Sequence, residues 1–320
     1  MGQVLQFRKS GYRTWEEALS AFLILRKVLG NSPRTVRDYK EHVGSFFKAS
    51  PEVGETDSWE GKRLRDCVLA YIGGQKAPAT FNLRLTSLKL FFDWAVKEGM
   101  LSSNPTEGLR QRKASPRIVN IPEETLSKLL SLPDRSTYAG LRDYCLILLQ
   151  LDTGIRPGEA LSLKVEDIDF QGFTVTVRSV VSKTRTTRTL FLSLATVRAL
   201  KELVAARSEE WGNAPLFCTY TGGPFPCAEW NFRIRERYLP RLGAKITPYM
   251  LRHAFALGFL RNDGNIFALQ RIMGHTTLEM TRRYLALTEG DLREASAKAS
   301  PLNNIMKSAN RKRVRKIGKE

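Results

Sequence analysis

Thr153-Gly154-Ile155-Arg156-Pro157-Gly158-Glu159-Ala160-Leu161 is the stretch on which the reading of this 320-residue chain turns. It places a guanidinium at Arg156 and a carboxylate one helical turn further on at Glu159, close enough for one to orient the other. Upstream, Pro122 opens a helix and a second apolar helix runs around Leu141–Leu151. Downstream the period changes to two. Phe173, Val175 and Val177 alternate with Thr174, Thr176 and Arg178, and a partner strand fits Arg188 to Leu192, which predicts a small antiparallel hairpin with Lys183 at its tip. Helical patterns return over Leu194–Arg207 and from Pro248 onward. The fold class expected is therefore mainly α with a small antiparallel β-sheet.

The first hundred residues read as four helices. Thr14 and Glu17 form a capping box ahead of the stripe Trp15, Leu19, Phe22, Leu25 and Leu29, with Gly30 as the stop. Ser32-Pro33 opens a second helix through Tyr39, Val43 and Phe47. A third spans about Trp59 to Ile72. The fourth starts near Pro78 and carries Phe81, Leu85, Leu88, Phe92 and Ala95 on one face, leaving Arg84 and Lys89 to point elsewhere. Between Leu101 and Asn120 the apolar period fails in a polar, basic run, which places the linker there. Length alone suits two domains, here residues 1–112 and 113–300. Residues 301–320 form a basic tail, with seven basic residues and one acidic between Lys307 and Glu320.

Charge narrows the partner. With 51 Lys plus Arg against 32 Asp plus Glu, the net charge is +19 and the pI near 10.0. A large polyanion, nucleic acid above all, fits that balance. A membrane partner does not, because the longest apolar run, Tyr144 to Leu149, is far too short to span and the N-terminus carries no secretory pattern. A cytoplasmic protein is expected, nucleoid-associated if its host is prokaryotic. The four cysteines, Cys67, Cys145, Cys218 and Cys227, lack C-x-x-C or Cys/His metal spacing, so neither a zinc site nor a disulfide framework is expected.

Two further segments complete a signature with Thr153–Leu161: Thr247-Pro-Tyr249-Met-Leu-Arg252-His-Ala-Phe255, and Met273-Gly-His275 followed nine residues later by Tyr284. In this order and spacing, with a basic hairpin between the first two and a helical basic domain in front, the chain resembles the tyrosine recombinases, or phage integrases. The resemblance covers about residues 14 to 300. It implies an N-terminal helical core-binding domain followed by a mixed α/β catalytic domain.

The resemblance also implies roles, and the chemistry explains the residue types. A phenol suits a nucleophile that must keep the phosphate as an ester for later attack by a sugar hydroxyl, so Tyr284 takes a 3′ phosphate and releases a 5′ hydroxyl. Arg156 and Arg252 meet the non-bridging oxygens of the transition state, since planar guanidiniums grip two oxygens in a fixed fork. Lys183 protonates the leaving 5′ oxygen, although Thr184 stands where many members have glycine. His275 hydrogen-bonds the scissile phosphate, and Glu159 supports the arginines without acting as an acid. Arg84, Lys89, Arg185, Arg188 and Arg282 are expected on the DNA. His253, beside Arg252, is read as packing.

The pattern breaks at Tyr249, where many members have a histidine. A neutral phenol with a pKa near 10 is no base at pH 7, so Tyr249 is expected to donate a hydrogen bond to phosphate and the identity of the base stays open. No metal or other cofactor is expected, because no acidic cluster stands near these motifs. The resemblance implies a homo-tetramer on two paired DNA sites, with the segment after Tyr284 packed on a neighbouring protomer. A mobile-element integrase or transposase is favoured. A Xer-like chromosome-dimer resolvase and a type IB topoisomerase-like relaxing enzyme are the alternatives, and a silent DNA-binding regulator on the same scaffold is disfavoured by the complete residue set.

Overall fold

In the computed structural model the described residues are 11–59, 62–75, 77–113, 120–179, 186–285, 296–297 and 299–302. The chain divides into two compact units, Met1–Ser115 and Pro116–Glu320. The first contains helices α1 (Trp15–Val28), α2 (Pro33–Ala49), α3 (Lys62–Gly73) and α4 (Pro78–Lys97). Thr14 and Ser32 cap the first two by accepting from Glu17 N and Thr35 N. Glu17 reaches back to the backbone N–H of Arg13 instead of that of Thr14, one residue earlier than a simple capping box predicts.

The core of this unit is aromatic. Phe22, Phe46, Phe47, Phe91 and Phe92 are fully or almost fully buried and meet mostly edge to face, the arrangement the ring quadrupole favours. Trp59, expected to begin the third helix, lies before it in a short 3₁₀ turn. There its ring stacks on Phe47 and its indole N–H donates to Val53 O at 2.9 Å. The expected linker also starts late. Met100 and Leu101 belong to the core, Asn82 bonds the backbone of Arg112, and the Arg112 guanidinium lies 3.9 Å from the Phe81 ring centre. The stretch up to Arg112 is thus tied to the helical unit by side-chain contacts that leave no apolar period.

The second unit is built around α6 (Tyr138–Thr153), packed between α8 (Leu194–Ala205) and α11 (Pro248–Arg261). Leu146, Ile147, Leu149, Leu200, Leu203, Trp230 and Leu251 form the centre of its core. Polar groups inside are paired. Asp143 takes Arg233 and Arg142 as ion partners and accepts from the Tyr238 hydroxyl at 2.7 Å, as burial of a carboxylate requires. Gln150 bridges two elements, donating to Pro248 O and accepting from Trp230 Nε1, both at 3.0 Å. That bridge sets the first turn of α11 against α6.

Beside this bundle lies a three-stranded antiparallel sheet of β1 (Ile168–Asp169), β2 (Thr174–Val177) and β3 (Arg188–Phe191), with Val175 opposite Leu190 and Val177 opposite Arg188. Val175 and Val177 face the core as their alternation predicts, whereas Phe173 has φ +52° and an exposed ring, so it belongs to the preceding turn. The remaining α-helices among the described residues are α5 (Glu123–Ser131), α7 (Pro157–Leu161), α9 (Cys227–Arg233), α10 (Leu239–Leu242), α12 (Ile266–Met273) and α13 (Leu278–Arg282). No helix among the described residues is long and apolar enough to cross a membrane. The hairpin tip with Lys183 and Arg185, and most of the tail, lie outside the described residues.

Candidate active site

The site is assembled where α6 and α12 end. Gly154 closes α6 at φ +63°, and a Cβ there meets Phe255 at 2.3 Å, so glycine is required twice over, by dihedral and by space. The chain then turns and presents Arg156 as the residue before α7. Its Nη1 donates to Glu159 Oε1 at 2.9 Å and its Nη2 to Gly274 O at 2.9 Å. Gly274 closes α12 at φ +59°.

Arg252, on α11, is only 1% exposed. It donates to Gly154 O, to Met273 O at 2.7 Å, and through Nη2 to His275 Nε2 at 3.1 Å. The carbonyls at the C-terminal ends of two helices thus hold both arginines, with the sign that the helix dipole favours. Glu159 is shared: its Oε2 pairs with Arg188 Nη2 at 2.5 Å. Burial alone raises the Glu159 pKa, but Arg188 and Arg156 outweigh it and hold the carboxylate below its ordinary range.

Arg188, expected on the DNA backbone, is 9% exposed, paired with Glu159 and donating to Ile272 O at 3.1 Å. Three guanidiniums and one carboxylate therefore converge, and the surplus positive charge forms an electrophilic pocket for an anion. Burial, then the neighbouring Arg156, brings the Arg252 pKa down to about 10, still cationic at neutral pH.

His275 is fixed by two bonds. Arg252 can only donate, so Nε2 accepts, and Nδ1 carries the proton and faces Thr281 Oγ1 at 2.8 Å. Burial, with Arg252 and Arg156 next, brings its pKa down to about 4, so the ring is neutral at pH 7. Tyr284 follows α13 in a 3₁₀ turn, 5% exposed, against Ala256, Leu257, Leu269 and Met273. Its ring is parallel to that of His275, with centres 6.5 Å apart. Burial raises the phenol pKa, opposed in part by Arg252.

The residue that the sequence reading set aside is His253. Its Nδ1 lies 2.8 Å from the Tyr284 hydroxyl. Tyr249, one turn earlier on the same helix, is half exposed and meets the His253 ring edge-on at 5.2 Å. The four-residue spacing puts His253 and Tyr249 on one face of α11, but it carries no sign of the contact with Tyr284. Among the other expected DNA contacts, Arg282 is exposed and 3.6 Å from Glu279. In the first unit, Arg84 lies over the Tyr71 ring at 4.7 Å, and Lys89 is exposed near Asp93. No group of acidic, His or Cys side chains able to hold a metal occurs among the described residues.

Comparison with known proteins agrees over most of the chain. Residues 120–290 match the phage integrase family, and residues 19–99 match the N-terminal SAM-like domain of phage integrases. Tyrosine recombinase XerC of Myxococcus xanthus is 28% identical over 293 residues, covering 85% of this chain and 93% of that protein. XerC of Xylella fastidiosa is 29% identical over 272 residues, covering 83% and 90%. Among solved structures, the Tn1549 transposon integrase in complex with transposon right end DNA aligns over 88% of this chain and 98% of its own, with a TM-score of 0.70 at 19% identity. The site-specific recombinase XerH bound to palindromic difH substrate aligns over 87% and 83%, with a TM-score of 0.66 at 22% identity.

Proposed function

The chain belongs to the phage integrase family, whose tyrosine recombinases are enzymes that cleave and rejoin DNA at specific sites, and we propose that it does so through a covalent bond between Tyr284 and a 3′ phosphate. The observation that carries this reading is the convergence of Arg156, Arg252, His275 and Tyr284 on one pocket, with Arg252 bonded to His275 and the Tyr284 ring parallel to the imidazole. The scissile phosphate enters the pocket of surplus positive charge. Oη of Tyr284 attacks phosphorus, the bond to the 5′ oxygen breaks, and the two arginines stabilise the charge on the non-bridging oxygens. The 5′ oxygen leaves with a proton, assigned by resemblance to Lys183. A 5′ hydroxyl from a second DNA then attacks the phosphotyrosine and restores the phenol, so the bond energy is conserved without ATP.

Four protomers on two paired sites perform the exchange in this proposal, with the segment after Tyr284 contacting a neighbour. Of the biological settings, a mobile-element integrase or transposase is the reading favoured from sequence. The identity with XerC proteins over more than four-fifths of the chain favours a second, chromosome-dimer resolution. Inverted repeats around a short spacer beside the gene support the first, and a single chromosomal site remote from the gene supports the second.

The chemical core of the proposal is tested with a suicide DNA site. Wild-type protein is expected to give a detergent-resistant protein–DNA adduct without added metal, and Tyr284→Phe to give none. An undiminished adduct in that variant assigns the nucleophile elsewhere.

A further inference from the structure

Because His253 Nδ1 stands 2.8 Å from the Tyr284 hydroxyl, we propose that His253 is the base that takes the phenol proton as Tyr284 attacks phosphorus. The inference rests on the reading of Tyr284 as nucleophile and deepens it. The phenol is a weak nucleophile until it loses its proton, and burial makes that loss harder. Some group within bonding distance must accept the proton, and the neighbours can be taken in turn.

Arg156 and Arg252 are donors only. His275 has both ring nitrogens engaged, with Arg252 and with Thr281. Tyr249 is half exposed, and its ring lies edge-on against His253. Among the described residues that leaves His253, with an imidazole nitrogen 2.8 Å from the reacting oxygen. Its own environment favours the neutral ring, because burial, then Arg283, then Arg252 hold the pKa below the ordinary histidine value, and the tautomer with its proton on Nε2 leaves Nδ1 to accept from the phenol. Among the described residues, the elements packed on α11 bring no carboxylate to it: Asp152 of α6 is bonded to Ser193 N, α12 contributes Leu269 and Met273, and the 3₁₀ turn at Arg283–Leu285 brings Arg283.

The step balances. The Oη–H bond breaks and Nδ1–H forms, Oη bonds to phosphorus, and the bond from phosphorus to the 5′ oxygen breaks as that oxygen takes the proton assigned to Lys183. In rejoining, the 5′ hydroxyl gives its proton back to that lysine and bonds to phosphorus, the bond from phosphorus to Oη breaks, and the imidazolium returns its proton to Oη. An imidazole of depressed pKa is a modest base and a ready acid, which suits a group that must work in both directions. The histidine that this family often carries at the position of Tyr249 is thus replaced in function by one placed a single helical turn later.

Single-turnover cleavage of the suicide site by the full-length protein tests the proposal over about pH 5.5 to 9.5. The wild-type rate is expected to fall as pH drops through the His253 pKa, below the ordinary value of about 6.5. His253→Ala should bind DNA with wild-type affinity and cleave roughly 10²- to 10⁴-fold more slowly at pH 7. It should lose the acid limb, speed up with rising pH as the phenolate forms, and regain rate when imidazole is added. His253→Asn, which keeps a polar group near the Nδ1 position, should show the same loss and serves if the alanine variant fails to fold. Cleavage by His253→Ala at or above the wild-type rate, or a loss that neither alkali nor imidazole relieves, overturns the proposal. Tyr284→Phe separates the two readings: an adduct in that variant removes the nucleophile assignment, whereas its absence beside a fast His253→Ala removes only the base.

Discussion

At the scale of the residue, the site is a set of side chains whose pKa values the fold has moved away from their ordinary ranges. His275 is the clearest, with a folded-state pKa of about 4 against an ordinary value of 6.5. As pH falls below 6.5 the unfolded chain takes the proton first, so the contribution of this histidine to stability is complete above 6.5 and is lost progressively towards pH 4. His253, shifted in the same direction, adds to the loss. Urea denaturation at several pH values should show wild-type stability falling more steeply between pH 6.5 and 4 than that of His275→Asn, and parallel curves would refute the assignment. What the sequence made legible here followed the signature: Arg156, Arg252, His275 and Tyr284 do lie together, as Glu159 does with two of the arginines. His253 was not legible, because its contact spans 31 residues of chain and depends on how the 3₁₀ turn at Arg283–Leu285 rotates Tyr284. The pairing of Arg188 with Glu159 was hidden for a similar reason. A strand-end arginine looks solvent-facing until β3 is laid beside the end of α12.

Among the elements, helix starts were the most legible, since Thr14, Ser32 and Thr247 sit directly before the first turns they cap. Helix ends matter more to the chemistry. The left-handed turns at Gly154 and Gly274 free the carbonyls that anchor Arg156 and Arg252. Gly154→Ala brings a Cβ to 2.3 Å from Phe255 and imposes an unfavourable φ, so a loss of about 2–4 kcal/mol is expected from overpacking and backbone strain together. Equilibrium denaturation measures that loss, and cleavage rate should fall further than the unfolded fraction explains, because the same turn aims Arg156. A variant as stable and active as wild type would show that the turn is not needed. Trp59 and the Leu101–Arg112 segment escaped the sequence reading on the same physical ground. Both are fixed by contacts between residues distant in sequence, such as an indole on Phe47 and a guanidinium on Phe81, which leave no repeat along the chain.

For the molecule as a whole, the net charge of +19 sets how DNA is held. A protein gripping six or more phosphates releases their counterions, so affinity is expected to weaken roughly 10³-fold or more between 50 and 200 mM salt. Fluorescence anisotropy with a labelled duplex gives the slope directly, and an affinity indifferent to salt would rule out backbone gripping. Charge and the two-unit plan were both readable from composition and patterning, whereas the partition of basic residues between solvent and the interior was not: Arg142, Arg188, Arg233 and Arg252 are spent inside the second unit. One of these has a consequence over evolutionary time. Arg252 closes the turns at Gly154 and Met273 as well as facing the reaction, so selection for a stable fold preserves it even in a lineage that no longer cuts DNA. The hydroxyl of Tyr284 has no comparable structural duty beyond its bond to His253. In decaying gene copies that persist as DNA-binding proteins, the tyrosine should therefore drift first, to phenylalanine, and the arginine last. An intact arginine pair in such a descendant is a fossil of the fold, and only the phenol marks a living enzyme.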